Sequence, residues 1–71
     1  MVKVRLYFYR IWHNDKKLEI KSDDPAEILA FVGKNQKGAT GGTQGSRLVP
    51  KNRLQHCIDN VSIEDIMTLK E

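Results

Sequence analysis

The chain has 71 residues, with twelve Lys and Arg against nine Asp and Glu, and its formal net charge is +3. A chain of this length forms one domain, and its small core supplies only about 3–5 kcal/mol of stability. The single cysteine, Cys57, excludes an internal disulfide and, without a cysteine pair, disfavours a structural zinc site. Because neither a membrane span nor a signal-peptide pattern is present, we expect a soluble, cytoplasmic protein without a membrane partner.

Residues 2–12, with the sequence VKVRLYFYRIW, predict the longest strand of a small sheet. Apolar residues from Val2 to Phe8 alternate with basic residues and tyrosines, and this period of two is typical of a strand with one buried face. After a polar turn at Asn14-Asp15, Leu18 and Ile20 resume the alternation. We therefore expect a β-hairpin in which Leu18 and Ile20 lie on the face that the first strand buries.

The sequence DPAE, which begins at Asp24, predicts a helix from Pro25 onward. Aspartate is a good N-cap, proline suits the first helical position, and a glutamate follows three residues after the cap. Three apolar residues then fall at helical spacing and form a stripe that can pack on the hairpin. They are Ile28, Phe31 and Val32. We expect the helix to end between Gly33 and Lys37.

Residues 38–50, GATGGTQGSRLVP, contain four glycines and no large apolar residue before Leu48. A connection of this length and composition is unusual in a compact domain and is commonly functional or disordered. The sequence therefore predicts a flexible, basic, glycine-rich loop at about 38–50.

Beyond the loop, Leu48-Val49 and the alternation over residues 54–58 predict a third strand, which Pro50 confines to a sheet edge or interrupts. The last segment has two interpretations. Ser62 followed by Asp65 resembles a capping box and favours a short helix with Ile63, Ile66, Met67 and Lys70 on one face, whereas its β-branched residues also permit a strand. Together, these elements predict one small α+β domain over residues 1–71.

Two features favour nucleic-acid binding. Every charged residue between Gly33 and Cys57 is basic, and glycines beside cations let the backbone approach phosphates. On the first strand, cations and tyrosines occupy the positions between the apolar residues, a combination on which single-stranded nucleic acid stacks. The candidate contact residues are Lys34, Lys37, Arg47, Lys51 and Arg53, with Lys3, Arg5, Tyr7 and Tyr9 on the strand.

Each of these features also has a plainer interpretation. The glycine-rich segment lacks the residue spacing of a phosphate-binding P-loop, so it also suits a solvated surface loop. The tyrosines also suit an ordinary strand whose side chains pack against their cross-strand neighbours. Trp12, at the end of the strand, is expected to close the core, although tryptophan also anchors protein interfaces.

No catalytic, metal or cofactor site is predicted. His13, His56 and Cys57 are the soft metal ligands of the chain, and adjacent residues 56 and 57 would point to opposite faces of a strand. The sequence thus predicts a small non-enzymatic module that contacts nucleic acid. The first alternative is an inhibitor or adaptor that docks on a protein partner, and the second is a structural homodimer with no separate ligand.

Overall fold

The computed structural model describes residues 2–69. Its elements, in chain order, are β1 (Lys3–His13), β2 (Lys16–Ser22), α1 (Pro25–Asn35), β3 (Gly41–Pro50), a 3-10 turn (Lys51–Arg53), α2 (Leu54–Asn60) and α3 (Ile63–Met67). The three strands form one antiparallel sheet in the order β2-β1-β3. The predicted α+β class is confirmed, and β1 is both the longest strand and the central one.

One face of the sheet, which we name the core face, carries the main hydrophobic cluster. Leu6 and Phe8 of β1 and Val49 of β3 are almost completely buried there. They pack with Cys57 of α2 and with side chains of α3, among which Ile63 is fully buried. The two C-terminal helices therefore cover this face, as the alternation of apolar residues in β1 requires.

The opposite face, which we name the tyrosine face, carries Tyr7 and Tyr9 and is partly covered by α1. The expectation that Leu18 and Ile20 lie on the core face was wrong, because Leu18 pairs with Ile11 and Ile20 pairs with Tyr9. The two-residue turn at Asn14-Asp15 sets this register, and a shift of one residue exchanges the two faces of a strand. Asn14 adopts the left-handed conformation there, with φ of 59°.

Helix α1 begins and ends as predicted. The side chain of Asp24 accepts a hydrogen bond from the Ala26 backbone N–H, Pro25 is the first helical residue, and the helix ends at Asn35. The helix packs on β1 and β2 over the buried Ile11. At its C-terminal end the Nε2 atom of His13 lies 2.8 Å from the carbonyl oxygen of Asn35.

The segment 54–58 was expected to be a strand, but it forms the start of α2. Leu54, Cys57 and Ile58 also follow helical spacing, and packing on the core face selects that period. The helical interpretation of the last segment is confirmed, because the Ser62 side chain caps α3 by accepting from the Asp65 N–H. Lys70 lies outside the described residues. No helix within residues 2–69 is long and apolar enough to span a membrane.

The largest correction concerns the expected flexible loop at 38–50, most of which is strand β3. Two of its glycines allow β1 to approach closely. A Cβ atom on Gly45 would lie 2.7 Å from Cζ of Phe8, and one on Gly42 would lie 3.2 Å from the backbone carbonyl oxygen of Arg10. Gly45 therefore makes room for a ring on the core face, and the number of glycines does not indicate disorder here.

Three cations of the core face hold the C-terminal helices, and each strand supplies one. Lys21 of β2 donates to the carbonyl oxygens of Cys57 and Val61 at the end of α2. Arg47 of β3 donates to the carbonyl oxygen of Met67 at the end of α3. Cations at these positions also interact favourably with the negative end of a helix.

The third cation, Arg10 of β1, is a buried charge with two carboxylate partners. It bonds Glu19 of β2 at 3.0 Å and Glu64 in the first turn of α3. Burial lowers the pKa of Arg10, but the hydrogen bonds and charges of both glutamates outweigh it, so the pKa is raised overall. The pKa of Glu64 is lowered, chiefly by its own backbone N–H and then by the hydrogen bond from Arg10.

We predict that Gly45→Ala destabilises the fold by about 1–3 kcal/mol, because the new methyl group overlaps the ring of Phe8. The matched control is Gly41→Ala in the same strand, where a Cβ atom meets nothing within 4 Å. The free energy of unfolding of the control should differ from that of the parent by less than about 0.5 kcal/mol. Urea unfolding followed by circular dichroism measures both, and equal midpoints for the two variants would contradict the ring-over-glycine packing.

We also predict that Glu64→Gln reduces the amount by which the free energy of unfolding decreases in acid. A carboxylate whose folded pKa is depressed contributes stability above its unfolded pKa, and that contribution disappears as the pH falls through the folded pKa. The parent should therefore lose more free energy of unfolding than Glu64→Gln between pH 6 and pH 3. Asp59→Gln, on the exposed side of α2, is the control, and an unchanged pH dependence for Glu64→Gln would contradict the assignment.

Candidate binding surfaces

The half of the tyrosine face over β1 and β3 carries the cation and aromatic side chains of the first candidate site. Helix α1 packs against β1 and β2, while Tyr7 and Tyr9 are half-buried and Arg5 is exposed. Arg5 donates a hydrogen bond of 2.9 Å to the hydroxyl oxygen of Ser46 on β3. Side chains two residues apart on a strand stand about 7 Å from each other. The predicted row, in which two cations are followed by two tyrosines, therefore lies on one face of β1.

The nine residues predicted to contact nucleic acid do not lie on one surface. Lys3 pairs with Pro50, so Lys51 lies close to it at one end of the sheet. Lys34 and Lys37 are exposed at the end of α1, near His13 at the other end. The ten-residue rise from the start to the end of β1 separates these two groups by about 33 Å.

Arg47 faces away from the tyrosine side chains. It pairs with Leu6 and lies on the core face, where its guanidinium donates to the carbonyl oxygens of Ser46 and Met67. A phosphate ligand would have to compete with these bonds. Arg47 thus serves the packing of α3, and Arg53 is the remaining predicted cation, at the same end of the molecule as Lys3.

Trp12 does not join the core cluster, contrary to expectation. Its side chain is 36% exposed on the core face beyond the buried residues. The ammonium nitrogen of Lys17 lies 6.0 Å from the centre of its ring. The indole therefore forms an exposed cation–aromatic pair near the hairpin turn and does not close the core.

The outer edge of β3 presents backbone groups that pair with no other strand, a feature that the sequence interpretation missed. The Lys51 N–H donates to the Val2 carbonyl oxygen at 2.9 Å, which marks this opposed pair as hydrogen-bonded. In an antiparallel ladder such pairs alternate with pairs whose N–H and C=O groups point away from the partner strand. The outward groups along the β3 edge therefore belong to Gly42, Gln44, Ser46 and Leu48. Among them, the carbonyl oxygen of Ser46 already accepts a hydrogen bond of 2.7 Å from Arg47.

The two edges of the sheet differ in charge. Four of the seven residues in β2 (KKLEIKS) are charged, three of them lysines, and edge lysines oppose the addition of another strand. Strand β3 (GGTQGSRLVP) has one charged residue, Arg47, which is bonded to α3, and its only proline is the last residue. Strand β3 thus lacks the usual protection of an edge. Recognising the segment as a strand would have revealed this edge from the sequence.

A groove of about 310 Å³ lies at the C-terminal end of β3, and we name it the edge groove. Its apolar walls come from β3, from the segment before α3 and from the chain after α3. These walls are Leu48, Val49, Pro50, Val61 and Leu69, with Cys57 beside them.

The rim of the edge groove is basic. Lys3, Arg53 and His56 complete its lining, and no carboxylate is among the described residues that line it. Leu69 is 40% exposed, so an apolar surface remains open to solvent between these polar groups. The arrangement suits a ligand that combines an apolar side chain with negative charge.

The three potential soft metal ligands serve other contacts. His13 bonds the end of α1, Cys57 is buried in the core cluster and His56 lies on the exposed side of α2. Within residues 2–69 no group of three or more His, Cys, Asp or Glu side chains is placed to hold a metal ion.

Comparison of the chain with protein-family models, with curated protein sequences and with solved structures finds no match. The functional argument consequently depends on the geometry of the β3 edge, the edge groove and the tyrosine face.

Proposed function

We propose that this protein is a small binding module that docks on a protein partner by adding an extended segment of that partner to β3. The observation that carries the proposal is the ten-residue edge strand with outward backbone groups at every second residue and no free lysine to repel a neighbour. Strand addition uses such groups for affinity and nearby pockets for specificity. A chain whose own core supplies little stability also gains from a bound partner.

A second copy of the chain suits the β3 edge less well. In an antiparallel pairing of two β3 strands, the Gly41–Gln44 half of one would lie beside Leu48 and Val49 of the other. That half offers no apolar side chain for the edge groove and no carboxylate for its basic rim. The geometry therefore favours a partner of different sequence over a homodimer.

We predict that Gln44→Pro abolishes peptide binding while the fold remains intact. The N–H of Gln44 points away from β1, so proline removes no hydrogen bond of the sheet but blocks the added strand. Gln44→Ala keeps the N–H and is the matched control. Peptides selected by phage display on the parent protein should lose affinity at least tenfold for Gln44→Pro and keep it for Gln44→Ala, as measured by fluorescence anisotropy.

Hydrogen exchange supplies a second measurement of the same docking. Bound peptide should slow exchange of the backbone amides of Gln44, Ser46 and Leu48, which have no partner in the sheet. If a selected peptide bound Gln44→Pro as tightly as the parent, or protected amides elsewhere only, docking at the β3 edge would be wrong.

Single-stranded nucleic acid is the second candidate ligand, and the tyrosine face favours it. Arg5, Tyr7 and Tyr9 stand in one row on β1, the tyrosines half-buried, and Lys3 and Lys51 adjoin that row at one end. Tyrosine rings would stack with bases, and the cations would neutralise phosphates with release of counterions. Lys34 and Lys37 lie at the other end of the sheet, far from Lys3 and Lys51.

We predict that Lys3→Glu/Lys51→Glu weakens any oligonucleotide binding on the order of tenfold at low salt, because phosphate neutralisation is lost beside the row. The control, Lys34→Glu/Lys37→Glu, changes the net charge equally at the far end of the sheet. Titration of each protein with a mixed-sequence single strand and with duplex, followed by ¹⁵N–¹H NMR, measures the effect at two salt concentrations. Absence of shifts at low salt, or equal weakening by both variants, would remove this candidate.

A further inference from the structure

We infer that the segment captured by β3 is acidic and places one apolar side chain in the edge groove. This inference rests on the proposed strand addition and names the chemistry of its partner. It follows from the position of the groove, from its lining and from the charges around it.

The position of the groove joins it to the β3 edge. Leu48 directs its backbone groups outward and also lines the groove, and Val49 and Pro50 line it next. A segment that hydrogen-bonds along Gln44, Ser46 and Leu48 therefore reaches the groove at its end. Since side chains of a strand alternate between faces, at least one side chain of the added segment is directed toward the groove.

The lining of the groove selects an apolar side chain. Val49 is 2% exposed and Cys57 is 8% exposed, so the walls belong to the hydrophobic core, whereas Leu69 leaves part of them open. The volume of about 310 Å³ is at the small end of the ~300–1,000 Å³ range of ligand pockets. It suits one large aliphatic or aromatic side chain better than a complete drug-sized ligand.

The charges at the groove select carboxylates beside that side chain. Lys3 and Arg53 contribute positive charge, and His56 contributes ring nitrogens. Lys51 adjoins them in the turn that follows β3. Glutamates or aspartates two residues from the apolar anchor lie on the same face of the added strand and would meet this rim, whereas lysines there would be repelled.

The probe that tests this inference is a synthetic seven-residue peptide with a central leucine, one glutamate two residues before it, one glutamate two residues after it, and threonine or valine at the other positions. One comparison peptide replaces the leucine with asparagine, and another replaces both glutamates with lysines. The expected result is binding at least tenfold tighter for the leucine–glutamate peptide than for either comparison peptide, with NMR shifts at Val49, Cys57 and Leu69.

A charge exchange makes the test independent of folding defects. Arg53→Glu should weaken binding of the glutamate peptide and strengthen binding of the lysine peptide. Lys34→Glu makes the same change of charge far from the groove and should leave the preference unchanged.

The remaining outcomes separate this inference from the proposed function. Protection of the Gln44 and Ser46 amides by all three peptides with equal affinity would overturn the inference but retain strand addition. If none of the three peptides bound, both the inference and the proposed strand addition would be overturned. Concentration-dependent protection of the same amides without peptide would identify a second copy of the chain as the occupant and also overturn the inference.

Discussion

The architecture depends on the contact between the core face of the sheet and two helices that are too short to be stable alone. Helices α2 and α3 have seven and five residues, and isolated helices of that length do not form in water. Burial of Ile63 and Ile66 against Leu6 and Phe8 supplies the main stabilisation. The cations of Lys21, Arg10 and Arg47 then fix the ends of the helices to specific strands, so apolar contact and polar anchoring determine one position for the helices.

The same contact explains why the basic residues of the chain do not form one binding surface. Charge along the sequence is concentrated in the middle of the chain, but strand β3 directs Arg47 toward α3, and the turn and helix that flank β3 carry the other cations to opposite ends. What remains in one place is a basic rim beside an apolar groove and an unprotected strand edge. The proposed peptide capture would use all three features together, whereas nucleic-acid binding would use the tyrosine row and only part of the charge.

Local signals predicted the elements whose boundaries are set by short-range chemistry. The alternation in β1, the turn at Asn14-Asp15, the cap and proline of α1 and the cap of α3 were all identified correctly from neighbouring residues. Apart from the face assigned to Leu18 and Ile20, which the local turn decides, the errors arose where distant residues determine the structure. Gly45 is typical of a loop, and only its position opposite Phe8 explains it as a strand residue. The apolar residues of 54–58 fit the period of a strand or of a helix, and only packing on the core face selects the helix. The β3 edge and the groove beside it were missed for the same reason.

The central position of β1 has a consequence for folding. Strand β1 pairs with β2, the next strand along the sequence, but its other neighbour is β3, and its buried side chains also pack against α3. Most of its stabilising contacts are therefore non-local, and non-local contacts slow the folding of small domains. The entropy lost on closing the long loops is offset only when these contacts form, late in folding. A nascent chain that has produced only the hairpin and α1 would lack most of the core cluster. Folding should consequently be a single cooperative step that waits for the last residues of α3.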